Sequence, residues 1–309
     1  MVAPMAARAA DDAPGASKSF IVADDKSGHI LLQSRSTDKL PVASLTKIAS
    51  AVVVLDWARV HNQPLDTLVG VPGPVITTYQ DNPIGFQEGD EISLRDLLYA
   101  SMMQSDAIAT DTLATFVGRN LPPVQGEETI KSIGAKTTGA VRFVAQMNAL
   151  ARKLKMDRTR FLNPVGLDGT EKPYSTAMDL ARLSRYALAK ADFRFFVAQK
   201  ERRITLKRAG GNVDYLLRTT NTMLGVKNVD GGKTGQTARA GGCLMVTSER
   251  PPIVWQEGAT NYKTTRRLII VILGSSDRFN EASRLIDQAI PIYDKWLAAG
   301  HPMQEETTL

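Results

Sequence analysis

Cysteine is all but missing. Cys243 is the only one in 309 residues, which excludes an internal disulfide framework and any cysteine-rich metal site. Histidine is scarce too, with only His29, His61 and His301, so a Ser-His-Asp hydrolase or a histidine-ligated metal has little to build on. Aromatic residues make up 6% and are not interleaved with the basic runs "ERRITLKR" and "KTTRR", as a stacking platform for single strands requires. No nucleic-acid partner is therefore expected. No apolar run reaches the eighteen or so residues of a membrane helix, so no intrinsic membrane segment is expected. The opening "MVAPMAARAADDAPGAS" has Arg8 but no apolar stretch behind it, so no signal peptide is visible.

What is present suits a globular enzyme. The chain is 43% hydrophobic and carries a mild formal charge of +6, enough to bury a large core without an electrostatic specialisation. "SFIVADDKSGHILLQS" reads as a β-hairpin, two alternating apolar runs around "DDKSG". Helical periods follow in the stretch from Ser44, in "EISLRDLLYASMM" with Ser93 and Asp96 as a capping pair, in "AVRFVAQMNALARKLKM", and in "STAMDLARLSRYALA" capped by Ser175 or Thr176. Beyond Phe195 the texture turns to β-formers, "RRITLK", "VDYLLRTT", "GCLMVTSE" and "RRLIIVILGS", before a closing helix in "RFNEASRLIDQAIPIYDKWLAA". Strands at both ends with helices between predict one sheet assembled from the two ends of the chain, with a helical region inserted. Cys243 reads as a small buried hydrophobe.

The stretch "PVASLTKIAS" places Ser44 and Lys47 three residues apart at the opening of an apolar helix. Positions i and i+3 share a helical face, and the following Ile48 to Trp57 run would desolvate the ammonium. A lysine whose pKa is lowered by burial serves as the base that a serine nucleophile needs. The helix start leaves backbone N–H groups unpaired beside Ser44, one of which can face an oxyanion. By itself "SLTK" fits a capped helix with a solvated lysine better than a catalytic pair, because serine and lysine are common. Two later stretches decide between these readings: "MMQSDA" supplies Ser105-Asp106-Ala107 after an amphipathic helix, and "DGGKTGQT" supplies Lys233-Thr234-Gly235 before a β-run. Their order follows the Ser-x-x-Lys, Ser-Asp-Asn, Lys-Thr-Gly signature of penicillin-binding proteins and class A β-lactamases.

With "GFQEGDEISLRDLLYASMMQSD", "TRFLNPVGLDG", "YSTAMDLARLSRYAL" and "NVDGGKTGQTARAGGCL" added, the chain resembles the serine-type D-alanyl-D-alanine carboxypeptidases, the low-molecular-mass penicillin-binding proteins, from about Phe20 to Trp296. The resemblance implies an α/β (α+β) transpeptidase-like fold, a mostly antiparallel five-stranded sheet flanked by helices, with a helical subdomain at about 80–185 inside one catalytic domain of 19–299. Residues 1–18 would be a disordered leader or processed N-terminus and 300–309 a tail. It further implies Ser44 as the acylated nucleophile, Lys47 as general base, Ser105 as proton relay to the leaving amine and Lys233 as its electrostatic support. Thr234 would bind the substrate carboxylate, the Gln236 and Ser44 backbone N–H groups would form the oxyanion hole, and Gly235 would keep the strand edge clear. Arg267 is the expected carboxylate-pairing arginine, with Arg218 and Arg266 as competitors. The implied partners are a peptidoglycan stem peptide ending in D-Ala-D-Ala and β-lactam antibiotics, in an extracytoplasmic setting, with no metal and no cofactor.

Two positions depart from the family pattern. Ala107 stands where the motif has asparagine, removing an amide from the substrate side of the site and impairing activity by roughly 1–3 kcal/mol of lost hydrogen bonding. Val165 stands where relatives often have histidine, and is read as a packing residue. The second reading is a class A-like β-lactamase, with Glu171 in "FLNPVGLDGTEKPYS" as the acid that activates deacylating water; the third is a degenerate wall- or β-lactam-binding protein, on account of Ala107.

Overall fold

The computed structural model describes residues 16–124, 138–169, 171–257, 260–300 and 308–309. Most of the expected leader, 1–15, and most of the expected tail, 301–307, lie outside the described residues. Residues Ser19–Asp24 (β1) and Ile30–Ser34 (β2) form the hairpin read from the sequence. They join Val229–Thr237 (β7), Gly241–Glu257 (β8) and Thr260–Ser275 (β9) in a five-stranded antiparallel sheet of order β2-β1-β9-β8-β7. The two ends of the chain therefore meet in its middle, and β7 is left at an edge.

This sheet is covered on both faces, which is why its inner strands read as continuous apolar runs such as Leu268–Leu273. Alternate side chains leave a strand on opposite faces. Phe20, Val22, Leu268, Ile270 and Ile272 pack on one side against the last helix, Arg278–Ala298 (α8), through Leu285, Ile286, Ala289 and Tyr293. Ile21, Ile269, Val271 and Leu273 face the other way, into the main core. Each such side chain, fully buried, contributes about 1.5–3 kcal/mol relative to exposure.

At the centre of that main core lies Thr46–Val60 (α1), buried from Thr46 through Leu55. A helix that is apolar all round has no solvent face, and α1 is enclosed by Ala107–Arg119 (α4), Thr138–Lys153 (α5), Ala177–Leu188 (α6) and Ala191–Val197 (α7). The short helices Gly73–Thr78 (α2) and Leu94–Tyr99 (α3) complete this side. The anticipated caps are present: Ser93 accepts from the Asp96 N–H at 3.0 Å, and Thr176, not Ser175, accepts from Asp179.

One expectation fails here. "RRITLK" and "VDYLLRTT" do not enter the main sheet; as Glu201–Arg208 (β5) and Gly211–Arg218 (β6) they belong to a second sheet, of order β3-β4-β5-β6, with Leu68–Gly70 (β3) and Glu91–Ser93 (β4). Only Ile204, Leu206 and Leu217 of β5 and β6 are buried. Strands with one apolar face and one charged face suit a half-solvated sheet, not the interior of a doubly covered one. Among the described residues no helix is long and apolar enough to cross a membrane.

Candidate active site

Ser44 does not cap α1 directly. It sits in a 3-10 turn, Ala43–Leu45, immediately before the helix, and Ala43 is held at φ 49°. A left-handed alanine is uncommon and needs surrounding structure to hold it. That structure is the "NPVGL" loop. Asn163 Oδ1 accepts the N–H groups of Val165, Gly166 and Leu167 at 3.1, 2.6 and 3.0 Å. Gly166, at φ 84°, lies so close that a Cβ there would stand 2.0 Å from the Ala43 carbonyl oxygen.

Lys47 Nζ lies 3.1 Å from Ser44 Oγ and donates to the Val165 carbonyl at 2.7 Å. The Ser50 hydroxyl fastens the same loop by donating to the Pro164 carbonyl at 2.6 Å. Lys47 is 2% exposed, and this burial lowers its pKa to about 7 against the opposing pull of the Asp106 carboxylate. The sequence-level pairing of Ser44 with Lys47 is thus present as a contact. Val165 packs, as expected, but its carbonyl is also an anchor for the lysine that the sequence did not reveal.

The second motif follows α3 through a π-helical segment, Ala100–Gln104, which ends in Ser105 at φ 63°. Such a segment inside a helix is a recurrent mark of a functional position. Asp106 restarts the chain as the cap of α4, accepting from the Ala109 N–H at 2.7 Å. Burial raises its pKa to about 6, opposed by the Ala109 N–H and by Lys47. The charges of Asp106 and Lys47 are close enough to influence one another, so the second motif lies near the first. Ser105 Oγ is buried and makes no hydrogen bond among the described residues. Ala107 opens α4 and offers no polar atom.

The third motif lies on the edge strand β7. Lys233 is 1% exposed and donates to the Thr234 carbonyl at 2.8 Å. Its pKa is pushed well down, first by burial, then by the positive charges of Lys47 and Arg278. Gly235 touches the turn that carries Ser44: a Cβ there would stand 2.9 Å from the Ser44 nitrogen and 3.2 Å from Ala43 Cβ. The glycine is required by this close approach of backbone to backbone, a more specific reason than an unobstructed strand edge. Gln236, next along β7, is exposed at the rim. The Thr234 hydroxyl lies 2.5 Å from that of Thr220.

Arg267 is not part of this assembly. Its guanidinium is paired with Asp230 at 2.7 Å and Asp25 at 3.6 Å. In the ladder Arg267 stands opposite Glu249, whereas Gly235 stands opposite Cys243, which puts it roughly 20 Å along the sheet at about 3.3 Å per residue. Arg218 pairs with Glu201, and Arg266 with the Pro251 carbonyl and Asp294. The arginine at the site is Arg278, whose Nη1 donates to the Gly235 carbonyl at 2.6 Å and which has no ion pair among the described residues. A signal for it existed: Arg278 is the first residue of α8, where the helix dipole disfavours a cation. Glu171 forms an ion pair with Arg160 at 3.2 Å, and the loop meets Lys47 through Val165 instead.

Comparison with known proteins gives a consistent family. The D-alanyl-D-alanine carboxypeptidase family profile matches residues 6–122 and 131–254. D-alanyl-D-alanine carboxypeptidase DacC of Escherichia coli is 29% identical over 280 residues, covering 87% of this chain and 60% of that protein. The D-alanyl-D-alanine endopeptidase of Pseudomonas aeruginosa is 28% identical over 289 residues, covering 92% and 78%. Among solved structures, the D-alanyl-D-alanine carboxypeptidase from Mycobacterium tuberculosis aligns with TM-score 0.68 and 25% identity over 96% of this chain and 95% of that one. The Streptomyces K15 DD-transpeptidase aligns with TM-score 0.73 and 22% identity over 91% and 99%, a likeness of fold.

Proposed function

The chain belongs to the D-alanyl-D-alanine carboxypeptidase family, and from that premise we propose that it is a serine DD-carboxypeptidase that trims peptidoglycan stem peptides outside the cytoplasm. The observation that carries this reading is the contact of a buried lysine, its pKa lowered to about 7, with Ser44 Oγ, in a turn braced by Gly235 of the edge strand.

In this mechanism Ser44 Oγ attacks the carbonyl carbon of the penultimate D-alanine while its proton passes to neutral Lys47. The backbone N–H groups of Ser44 and Gln236 receive the developing oxyanion. The tetrahedral intermediate then collapses: the peptide C–N bond breaks, a proton is delivered through Ser105 to the departing nitrogen, and D-alanine leaves. Water attacks the resulting ester by the reverse proton traffic, freeing Ser44 and the shortened stem peptide. The substrate's terminal carboxylate is met by Thr234 and by Arg278, which takes the part expected of Arg267. Its negative charge also favours the ammonium form of Lys233, which the two neighbouring cations otherwise oppose. The same scissile bond and geometry serve DD-endopeptidase cleavage of cross-links. Penicillins, whose strained amide mimics D-Ala-D-Ala, acylate the same hydroxyl.

A β-lactamase is disfavoured because Glu171 is engaged by Arg160, and the loop meets Lys47 through the Val165 carbonyl. The test is release of D-alanine from diacetyl-Lys-D-Ala-D-Ala, together with mass spectrometry after incubation with benzylpenicillin. The expected results are D-alanine release and a long-lived adduct on the peptide containing Ser44, both absent in Ser44→Ala. Rapid turnover of the antibiotic would favour the lactamase; neither release nor adduct in the unmodified chain would leave the degenerate binding protein.

A further inference from the structure

The segment "RTTNTM" joins the second sheet to the edge strand of the first, and its middle lies between the two motifs that follow the nucleophile. Thr219 N–H donates to the Lys200 carbonyl at 2.9 Å, and Thr220 N–H to the Met103 carbonyl at 3.0 Å. Met103 lies two residues before Ser105, within the π-helical segment. These backbone bonds already hold the segment in place, so the Thr220 side chain is not needed to fix the chain. Its hydroxyl nonetheless sits 2.5 Å from the Thr234 hydroxyl and 3.3 Å from the Met103 carbonyl.

Exposure separates the two threonines. Thr234 is 4% exposed, whereas Thr220 is exposed. A ligand group that reaches the Thr234 hydroxyl from solvent must therefore come within contact of its exposed neighbour. Both hydroxyl protons are free to rotate. Without an anion, one can donate to the other and on to Met103; when an anion arrives, both can turn towards it. Beside them Arg278 holds the Gly235 carbonyl, one residue further along β7, with no carboxylate partner among the described residues.

Resting on the carboxypeptidase reading above, we infer that Thr220 is a second hydroxyl donor of the carboxylate subsite, contacting the terminal carboxylate of the substrate together with Thr234 and Arg278. It is a binding residue for the free acid at the peptide's end, and it takes no part in the bond-making at Ser44. Thr220→Val keeps the shape and removes the hydroxyl; Thr220→Ser keeps the hydroxyl. A lost hydrogen bond to a charged group corresponds to about tenfold or more in affinity.

The experiment measures steady-state D-alanine release from diacetyl-Lys-D-Ala-D-Ala, and D-alaninamide release from the C-terminal carboxamide analogue, for the unmodified chain and both variants. Thr220→Val is expected to raise KM for the acid about tenfold with kcat within about twofold, to leave KM for the carboxamide unchanged, and to be rescued within about threefold by Thr220→Ser. An unchanged KM for the acid overturns the inference about Thr220 alone. So does an equal loss on acid and carboxamide, which marks a structural role. An unmodified chain that neither releases D-alanine nor is acylated by benzylpenicillin overturns the carboxypeptidase reading and this inference with it.

Discussion

The turn carrying Ser44 is held on three sides, by Lys47, by the Asn163-centred loop and by Gly235, whereas the turn carrying Ser105 leaves two buried polar atoms without a hydrogen bond among the described residues. Around Ser44 the nearby polar side chains have partners: Lys47 with the serine and Val165, Ser50 with Pro164, Asn163 with three consecutive N–H groups. Around Ser105 the hydroxyl and the neighbouring Gln104 Oε1 are buried with no hydrogen bond among the described residues, and Ala107 adds nothing polar. Leaving such a group unsatisfied costs about 1–3 kcal/mol, a cost tolerated where a ligand completes the bonding. On the proposed reading, the nucleophile is assembled in advance and the proton relay is completed by the substrate.

That contrast breaks most visibly if the relay is removed. Ser105→Ala is expected to lower D-alanine release by about 10²–10³-fold, the usual range for a positioned proton-transfer group. The melting temperature should hardly move, because no protein hydrogen bond is lost. A large drop in melting temperature would mean that the Ser105 turn is as tightly integrated as that of Ser44.

Acidity provides the next largest effect. Lys47 must be neutral to accept the Ser44 proton, and protonation through about pH 7 removes that form. The rate of benzylpenicillin acylation should therefore be level above about pH 7 and fall towards tenfold per unit below it. Asp106 acts on this lysine against burial, favouring the ammonium. Asp106→Asn, which retains a capping side chain, removes the charge that favours the ammonium and should move the fall to lower pH. A fall that stays in place excludes Asp106 as the counter-charge.

The smallest expected change is a gain. Ala107→Asn restores an amide beside the unmatched hydroxyl, and a three- to tenfold rise in kcat/KM is expected from one added hydrogen bond. A loss of activity would show that the surroundings have adapted to alanine.

Much of this was legible in the sequence wherever the signal was local. The hairpin, the long amphipathic helices and the Ser44–Lys47 pair each follow from spacing within one element. The strands β3 and β4, three residues each, are too short for any period to show. The assignment of β5 and β6 to a separate sheet depended on partners far along the chain. Arg267 opens the apolar run "RLIIVILG" and so attracts the assignment in the sequence, yet it lies within β9, and only the register against β8 shows how far it stands from Gly235, whereas Arg278 follows the end of the strand. The Val165 carbonyl was invisible for a different reason: a backbone acceptor leaves no mark on residue identity, and its position is set by Asn163 and by the left-handed turns at Ala43 and Gly166.

The placement of β1 between β2 and β9, with Ser19 opposite Leu273, also governs when this protein becomes a protein. The central pairing of its sheet closes a loop that spans nearly the whole chain, a slow step by its entropy and topology. During synthesis the helices around α1 can gather early, but the floor on which they rest cannot form until the last strand has emerged from the ribosome. Because β7 is carried into the sheet by β8 and β9, the pocket around Ser44 is among the last parts of the molecule to mature.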